Sequence, residues 1–477
     1  MKPATIASSL GLCVLFTACA NRGPEVAFST LQNDVKIRSG HELQWRRSTE
    51  ADDRSEKLVR DLITTNLTAE SAIQIALVNN PSLQATFEEV GIAHADVIQA
   101  GLLRNPRLSG SWRVPTGAGT LNSEYSVAQN ILDLVFHSLR TSIAERALNE
   151  TRLRVTDAVL RLASEVETAY FTAQAREQLI AALRNIVEVD QTALDITQRQ
   201  REAGNITELE LANQKSAFAQ SGVFLANALR ESYSDRERLN RLLGLWGDQT
   251  GWRIEPALPE LPTQEMPLDD LEKLAVTRRF DVAAAREQVN SVRMALALRT
   301  KTRFLPINFE LGLDTEKDSD GKRVTGPALD FELPIFDHGQ AAIERLAAEQ
   351  RRAEQEFRAK AINARSEVRE LRDRLIASRD LTEYYRKTLI PIQSDLLRQS
   401  LLFYNAMQKG PSDLLTIKRR QLEIENEYIE VWRDYWITRT ELRRAIGGVS
   451  DVEAQPVHGD AKTVPKNASP HDHVHQH

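Results

Sequence analysis

The chain has 477 residues, 61 basic and 67 acidic side chains and a formal net charge of −6. That balance argues against a nucleic-acid binder, which would carry a basic excess. Aromatic content is 6%, and the abundance of alanine, leucine, glutamate, arginine and glutamine suits long helices rather than β-sandwiches.

The first eighteen residues read as a signal peptide. Lys2 gives a weakly basic start, Ile6 to Phe16 is largely apolar, and Thr17, Ala18 and Cys19 close it with small residues. The apolar run is too short to span a bilayer. The two cysteines, Cys13 and Cys19, both lie here, so cleavage before Cys19 leaves one cysteine and no disulfide within a mature chain. Phe16-Thr17-Ala18-Cys19 resembles a bacterial lipobox, with phenylalanine where leucine is usual. The resemblance implies a diacylated Cys19 as the new N-terminus, and Ala20 after it implies sorting to the outer membrane. Residues 19–66 are expected to form an acylated, extended N-terminal segment.

From residue 67 the chain repeats itself: 67–255 forms one unit, 256–267 a proline-rich linker and 268–448 a second unit. Ala76-Leu77-Val78-Asn79-Asn80-Pro81-Ser82-Leu83 is echoed by Ala275-Val276-Thr277-Arg278-Arg279-Phe280-Asp281-Val282. Asn130-Ile131-Leu132-Asp133 is echoed by Pro334-Ile335-Phe336-Asp337, and Gly204-Asn205-Ile206-Thr207 by Gly410-Pro411-Ser412-Asp413. Each unit is expected to hold a helix, a β-hairpin (107–132, then 306–335) and a long helical hairpin (134–243, then 337–446).

The strands alternate with period two. Ile307, Phe309, Leu311 and Leu313 are interleaved with Asn308, Glu310, Gly312 and Asp314; Leu329, Phe331, Leu333 and Ile335 with Asp330, Glu332 and Pro334. The helices carry heptad seams: Val155, Val159, Leu162, Val166, Ala169 and Ala173, then Ala361, Ala364, Val368, Leu371 and Leu375. Proline is absent from Thr116 to Glu255, and Phe136 to Ala203 alone would make a rod of roughly 100 Å at 1.5 Å per residue. No long apolar stretch follows the signal, so any membrane crossing falls to the strands. Four strands cannot close a membrane barrel, whose smallest form has eight, so chains would have to share one; three copies give twelve strands and a lumen.

Together the ordered duplicate motifs resemble the TolC-like outer-membrane factor family over roughly residues 60 to 448. The resemblance implies a mainly α fold with a small β part: a homotrimer with a shared twelve-stranded transmembrane β-barrel and a long periplasmic α-barrel of coiled-coil hairpins. It implies a passive exit duct, with a periplasmic adaptor protein and an inner-membrane efflux pump, of resistance-nodulation-division type, as partners. It places the periplasmic tip and adaptor docking at Gly204, Ile206, Thr207, Gly410 and Ser412, where each turn is read as a glycine with a helix-capping hydroxyl. It places a gate at Asp413, with Thr416 standing where a second acid is often found. Glu310, Asp314, Asp330 and Glu332 would line the lumen if the apolar side of the second hairpin faces lipid.

A duct needs no catalytic residue and no cofactor, and none is expected: His41, His94, His137 and His338 are scattered and no phosphate loop is present. Residues 449–477 read as a disordered tail. It ends in His471, His473, His475 and His477, a loose site for Cu²⁺, Ni²⁺ or Zn²⁺ and a hint of heavy-metal efflux. The alternative is a periplasmic adaptor or structural protein built on coiled-coil hairpins. Its usual flanking strands are scarce here.

Overall fold

The computed structural model describes residues 23–448 except 115, 118–120, 256, 266, 307–308 and 319. The signal segment, Cys19, Ile307, Asn308 and the tail with its four histidines therefore lie outside the described residues.

The frame is mainly helical with one small antiparallel sheet. In chain order it runs α1 (Glu25–Ser39), α2 (Thr49–Thr64), β1 (Asn66–Leu67), α3 (Ala69–Asn79), α4 (Pro81–Gly101), β2 (Arg107–Arg113), β3 (Asn122–Asn130), α5 (Ile131–Glu202) and α6 (Glu208–Leu243). The second half follows with β4 (Arg253–Ile254), α7 (Leu271–Arg278), α8 (Phe280–Lys301), β5 (Phe309–Lys317), β6 (Arg323–Phe331), α9 (Gln340–Tyr384), α10 (Ile390–Asn405) and α11 (Pro411–Ala445).

The 19–66 segment is not extended. Its α1 and α2 bury Phe28, Leu31, Val35 and Val59. Gly40, in the left-handed conformation at φ 74°, stops α1, and the Ser48 side chain caps α2 by accepting from the Ala51 N–H. The opening helix of each unit is likewise two helices. Asn80 ends α3 and caps α4, with Pro81 at the first helical position, where its missing N–H costs nothing. Asn79 and Asn80 also donate side-chain amides to the Leu242, Leu243 and Gly244 carbonyls, at 2.8–3.1 Å. That ties the start of the first unit to its end. In the second unit Arg279 holds the equivalent joint, between Asp281 (3.0 Å) and Glu367 (2.5 Å).

The sheet has order β2-β3-β5-β6, antiparallel throughout, so the two hairpins lie side by side and β2 and β6 are its edges. Below it α4 packs on α5, α5 on α8 and α8 on α9, in the order of the strands they adjoin. Farther down, α6 and α11 flank α5, and α9 and then α10 flank α11. The result is a wall four elements wide. The heptad seams are inside it: Val155, Val159, Val166, Ala169 and Ala173 are buried, as are Ala364, Val368, Leu371 and Leu375.

Two boundaries differ from the sequence reading. The period-two run of the second hairpin stops at Phe331. Pro334 has no N–H for a ladder and the Ile335 N–H turns back to the Leu333 carbonyl at 2.8 Å, so Glu332, Leu333 and Ile335 lie past the strand. The long helix of the second unit is also interrupted by a π-turn at Tyr385–Leu389, just ahead of Pro391. Pro391 has no N–H to offer the preceding turn and its ring crowds the carbonyl four residues back.

Candidate functional site: a two-faced sheet and two helix turns

The strand register sorts the sheet into two faces. Leu108, Val127, Leu313 and Pro327 form one row across all four strands. Trp112, Tyr125, Leu311, Leu329 and Phe331 share that face, and Trp112 donates its indole N–H to the Tyr125 hydroxyl at 3.1 Å. These side chains are open to solvent in the single chain: Leu108 is 75% exposed, Val127 50% and Leu313 62%. An apolar face of this kind on both hairpins needs a cover. Its only charges, Lys317 and Arg323, sit at the end farthest from the helices.

The opposite face carries Glu310, Asp314 and Asp330, as the sequence reading expected, in rows with Asn130 and Ser126. Glu332 is the exception, lying beyond the strand end. The same face also carries Glu124 and Arg113, which alternate with the apolar residues of the first hairpin, and two residues that sequence reading missed, Glu316, paired with Glu124 across β3 and β5, and Arg107 on β2. Arg107 pairs with Glu310 at 3.0 Å and Arg113 with Glu124 at 3.4 Å. Five carboxylates against two guanidiniums leave the face acidic, with Asp314, Glu316 and Asp330 outside those pairs. Between these rows Ala128, Gly312 and Ala328 keep the strands close, and a Cβ on Gly312 would stand 2.6 Å from the Val127 carbonyl oxygen. The parity of β2 and β3 was the available signal for the added charges.

The helix turns stand at the other end of the wall. After α5, Gly204 takes φ 74°, and the Gly204 and Asn205 N–H groups close back on the Arg201 and Gln200 carbonyls. Thr207 then caps α6 reciprocally with Glu210: the Thr207 N–H donates to Glu210 Oε2 at 2.7 Å and the Glu210 N–H to Thr207 Oγ1 at 3.2 Å. These bonds hold the Glu210 carboxyl below the usual carboxylate range.

The second turn is built differently, and the expected capping hydroxyl is absent. Met407, not Gly410, takes the left-handed conformation (φ 59°), and its side chain is 94% exposed. Gly410 is the cap residue at φ −80°, with Pro411 at the first helical position. Ser412 lies inside the helix, where its carbonyl accepts from the Thr416 hydroxyl. Asp413 reaches back to accept from the Gly410 N–H at 3.3 Å, so it serves the helix start whatever else it does. Leu401, Leu402 and Phe403 are exposed above this turn, and α10 buries only Ser400.

The histidines stay apart. His137 contacts the Gly101 carbonyl, His338 stacks on Phe304, and burial lowers the affinity of His41 for a proton. Among the described residues no cluster of three or more metal-ligating side chains occurs, and no helix is long and apolar enough to cross a membrane.

The profile of the outer membrane efflux protein family matches residues 72–245. The cobalt-zinc-cadmium resistance protein CzcC of Cupriavidus metallidurans is 22% identical over 392 residues, covering 80% of this chain and 90% of that one. Among solved structures, a membrane protein from Pseudomonas aeruginosa superposes with a TM-score of 0.67 at 19% identity (80% of this chain, 92% of that). The Campylobacter jejuni CmeC outer membrane channel gives 0.65 at 16% identity (87% and 91%). A crystal structure of CusC gives 0.66 at 17% identity (80% and 92%). With its two-faced hairpins standing on a helical wall, the chain has the fold of these channels, and its first unit matches the outer membrane efflux protein family.

Proposed function

We propose that this outer-membrane efflux channel works as a homotrimer in which three open sheets close one twelve-stranded barrel. The observation that carries this reading is the four-stranded sheet with an exposed apolar face and two unpaired edges, β2 and β6. Lipid would leave those edge N–H and C=O groups unsatisfied, and pairing β2 of one copy with β6 of the next removes both edges. Strands of seven to nine residues approach the about 9–11 residues a tilted membrane strand uses. The helical walls would continue the duct into the periplasm.

The polar face of the sheet would line the lumen, and Glu310, Asp314 and Asp330, with Glu124 and Glu316, favour cations there. The turns around Gly204, Ile206, Thr207, Gly410 and Ser412 are the proposed docking tip for a periplasmic adaptor. An inner-membrane pump of resistance-nodulation-division type supplies the energy, since a duct has none of its own. Asp413 is the proposed gate: three copies near one axis would repel one another when ionised.

Heavy-metal cations are the proposed cargo. Support comes from the name of the CzcC relative and from the alternating His471, His473, His475 and His477, which would bind metal loosely. Cys19 is the proposed lipid anchor. Phe28 of α1 meets Phe87 of α4 edge-on, fourteen residues or about 21 Å below Gly101 at the foot of the sheet, which keeps the N-terminal segment on the part of the wall nearest the sheet.

The test is cross-linking of single cysteines placed on β2 and β6, with planar-bilayer conductance of the same protein. Disulfide-linked trimers with small cation-selective steps are expected, and Asp413→Ala should enlarge the steps. A protein that stays monomeric and soluble without detergent would favour the coiled-coil adaptor instead. Normal metal tolerance in cells lacking the protein would remove the proposed cargo.

A further inference from the structure

A cavity of about 290 Å³ lies between α5 and α8 at the foot of the sheet. Its floor is apolar, built from Phe136, Ile143, Leu298 and Leu305, and Arg140, Arg299 and Asp133 stand around it. The charge there does not balance. Asp133 is shared between two arginines: Oδ1 accepts from Arg140 Nη1 at 2.9 Å and Oδ2 faces Arg104 Nε at 3.1 Å. Arg140 Nε is buried with no acceptor among the described residues. Arg299 has no acid partner among them, and its guanidinium rests on Gly339, where an added Cβ would stand 2.6 Å from Nη2. The first turn of α9, which begins there, contains no acid either. Asp337 accepts from the Gly339 N–H at 2.8 Å but makes no ion pair with Arg299, so Asp133 is the one ion-paired carboxylate among three guanidiniums beside an apolar hollow.

Leu134 and Val135 of α5 are exposed, as are Leu102 and Leu103 just past α4. At 100° per residue Leu134 stands about 200° round the helix from Phe136, so it is no part of the cavity floor.

We propose that this cavity is a binding subsite for single-chain amphipathic anions, an alkyl or aryl body carrying a carboxylate, sulfate or phosphate, taken from the duct. The apolar floor receives the body, and Arg299 and the free Arg140 N–H receive the head. The assignment to the duct rests on the channel reading; the affinity for the anion does not.

Two measurements separate them. Saturation-transfer NMR of octyl sulfate against the full-length protein in phosphatidylcholine nanodiscs reads the cavity itself. Binding above that of empty nanodiscs is expected, weakened at least tenfold by Arg299→Gln and by the cavity-filling Ile143→Phe, with no comparable signal from octyltrimethylammonium. Equal binding of the cationic probe, or indifference to both variants, overturns the site. In planar bilayers, octyl sulfate from the aqueous side should interrupt single-channel currents, with dwell times shortened by Arg299→Gln. Binding without interruptions would mean a lipid-side occupant and overturn the duct assignment. Binding to a protein that never conducts would remove the channel reading while leaving the cavity's specificity standing.

Discussion

The two halves of the chain build the same frame with different joints. Where the first unit begins, two neutral amides, Asn79 and Asn80, tie the break between α3 and α4 to the carbonyls ending α6. Where the second begins, one buried guanidinium, Arg279, does the equivalent work against Asp281 and Glu367, close to the end of α11. Gly244 and Gly447 occupy matching places, each pressed against the break, one on Asn79 and the other on Arg278. The common backbone path is thus compatible with either amide or ion-pair chemistry, and the cost of losing each should differ.

That difference is the largest effect expected. Arg279→Met takes the partner from the half-buried Asp281, while Glu367 keeps Arg444, and should cost about 3 kcal/mol, whereas Asn80→Ala, which loses a helix cap, should cost about 1–2 kcal/mol. Urea unfolding of the detergent-solubilised protein measures both. Equal losses would mean that the two joints are energetically interchangeable and that the charge at Arg279 adds nothing.

The rods come next. α5 runs unbroken for 72 residues, while its counterpart is interrupted ahead of Pro391. Counting back sixteen residues from Gly204, as Pro391 lies back from Met407, the left-handed residue of its own turn, gives Glu188. Glu188→Pro should copy the interruption into the first rod at a cost of about 3 kcal/mol. Pro391→Ala should restore a donor and slow amide exchange around residues 387–391 by about tenfold, ~1.4 kcal/mol of local stability. Unchanged exchange would show that packing of Tyr385 on Tyr428 and its hydrogen bond to Glu427 hold the π-turn without the proline.

The turns should respond less. Gly204→Ala places a Cβ at φ 74° and should cost about 1–2 kcal/mol. Gly410→Ala, at φ −80°, escapes that penalty. Met407→Gly should stabilise by about 0.5–1 kcal/mol, because relief of the left-handed strain exceeds the added freedom of the unfolded chain. A destabilised Met407→Gly would point to a contact made by the exposed methionine in the assembled protein.

Much of this was legible in the sequence. The period-two runs marked four strands because alternation is imposed by the pleat, and the seams through Val159 and Val368 marked the buried stripe because helix packing repeats every seven residues. The joint at Asn80-Pro81 was visible as a motif, but its partner carbonyls, more than 160 residues away, were not. α1 was missed because it buries only three side chains and has little amphipathic contrast; α2 has a clear amphipathic pattern that went unread, and Gly40 and Ser48 were usable stop and start signals. The misassigned cap at Ser412 came from aligning the turns by their glycines. The backbone places its left-handed residue at Met407, a position that composition gives no reason to choose. Arg107 and Glu316 escaped notice because they lie just outside the alternating runs that mark the strands. The α5–α8 cavity needed three separate elements brought together before its charge imbalance could be seen.

The smallest expected effect concerns a place where a buried acid of the first unit meets the second. Asp190 of α5 is 2% exposed, and its Oδ2 has no hydrogen-bond partner among the described residues. Arg419 of α11 is 3.8 Å away but holds Glu423 at 3.1 Å. Burial pushes the Asp190 carboxyl above its ordinary value, outweighing its hydrogen bond with Ser221 and the pull of Arg419, while Glu423 pushes the same way as burial. An acid whose folded-state pKa is raised favours the folded state while protonated, and that contribution is lost as pH rises from its unfolded value of 3.8 through the folded one. At neutral pH the ionised side chain therefore weighs against the fold. Asp190→Asn should raise the urea midpoint at pH 7.5, and the gain should shrink toward zero in acid. Asp281, Glu354 and Glu383 are shifted the other way, so the whole protein can still lose stability on acidification. Only the difference between variant and wild type isolates Asp190. A variant less stable than wild type at pH 7.5 would mean that the long contact with Arg419 outweighs burial, and that the two units are held together at this level by charge rather than in spite of it.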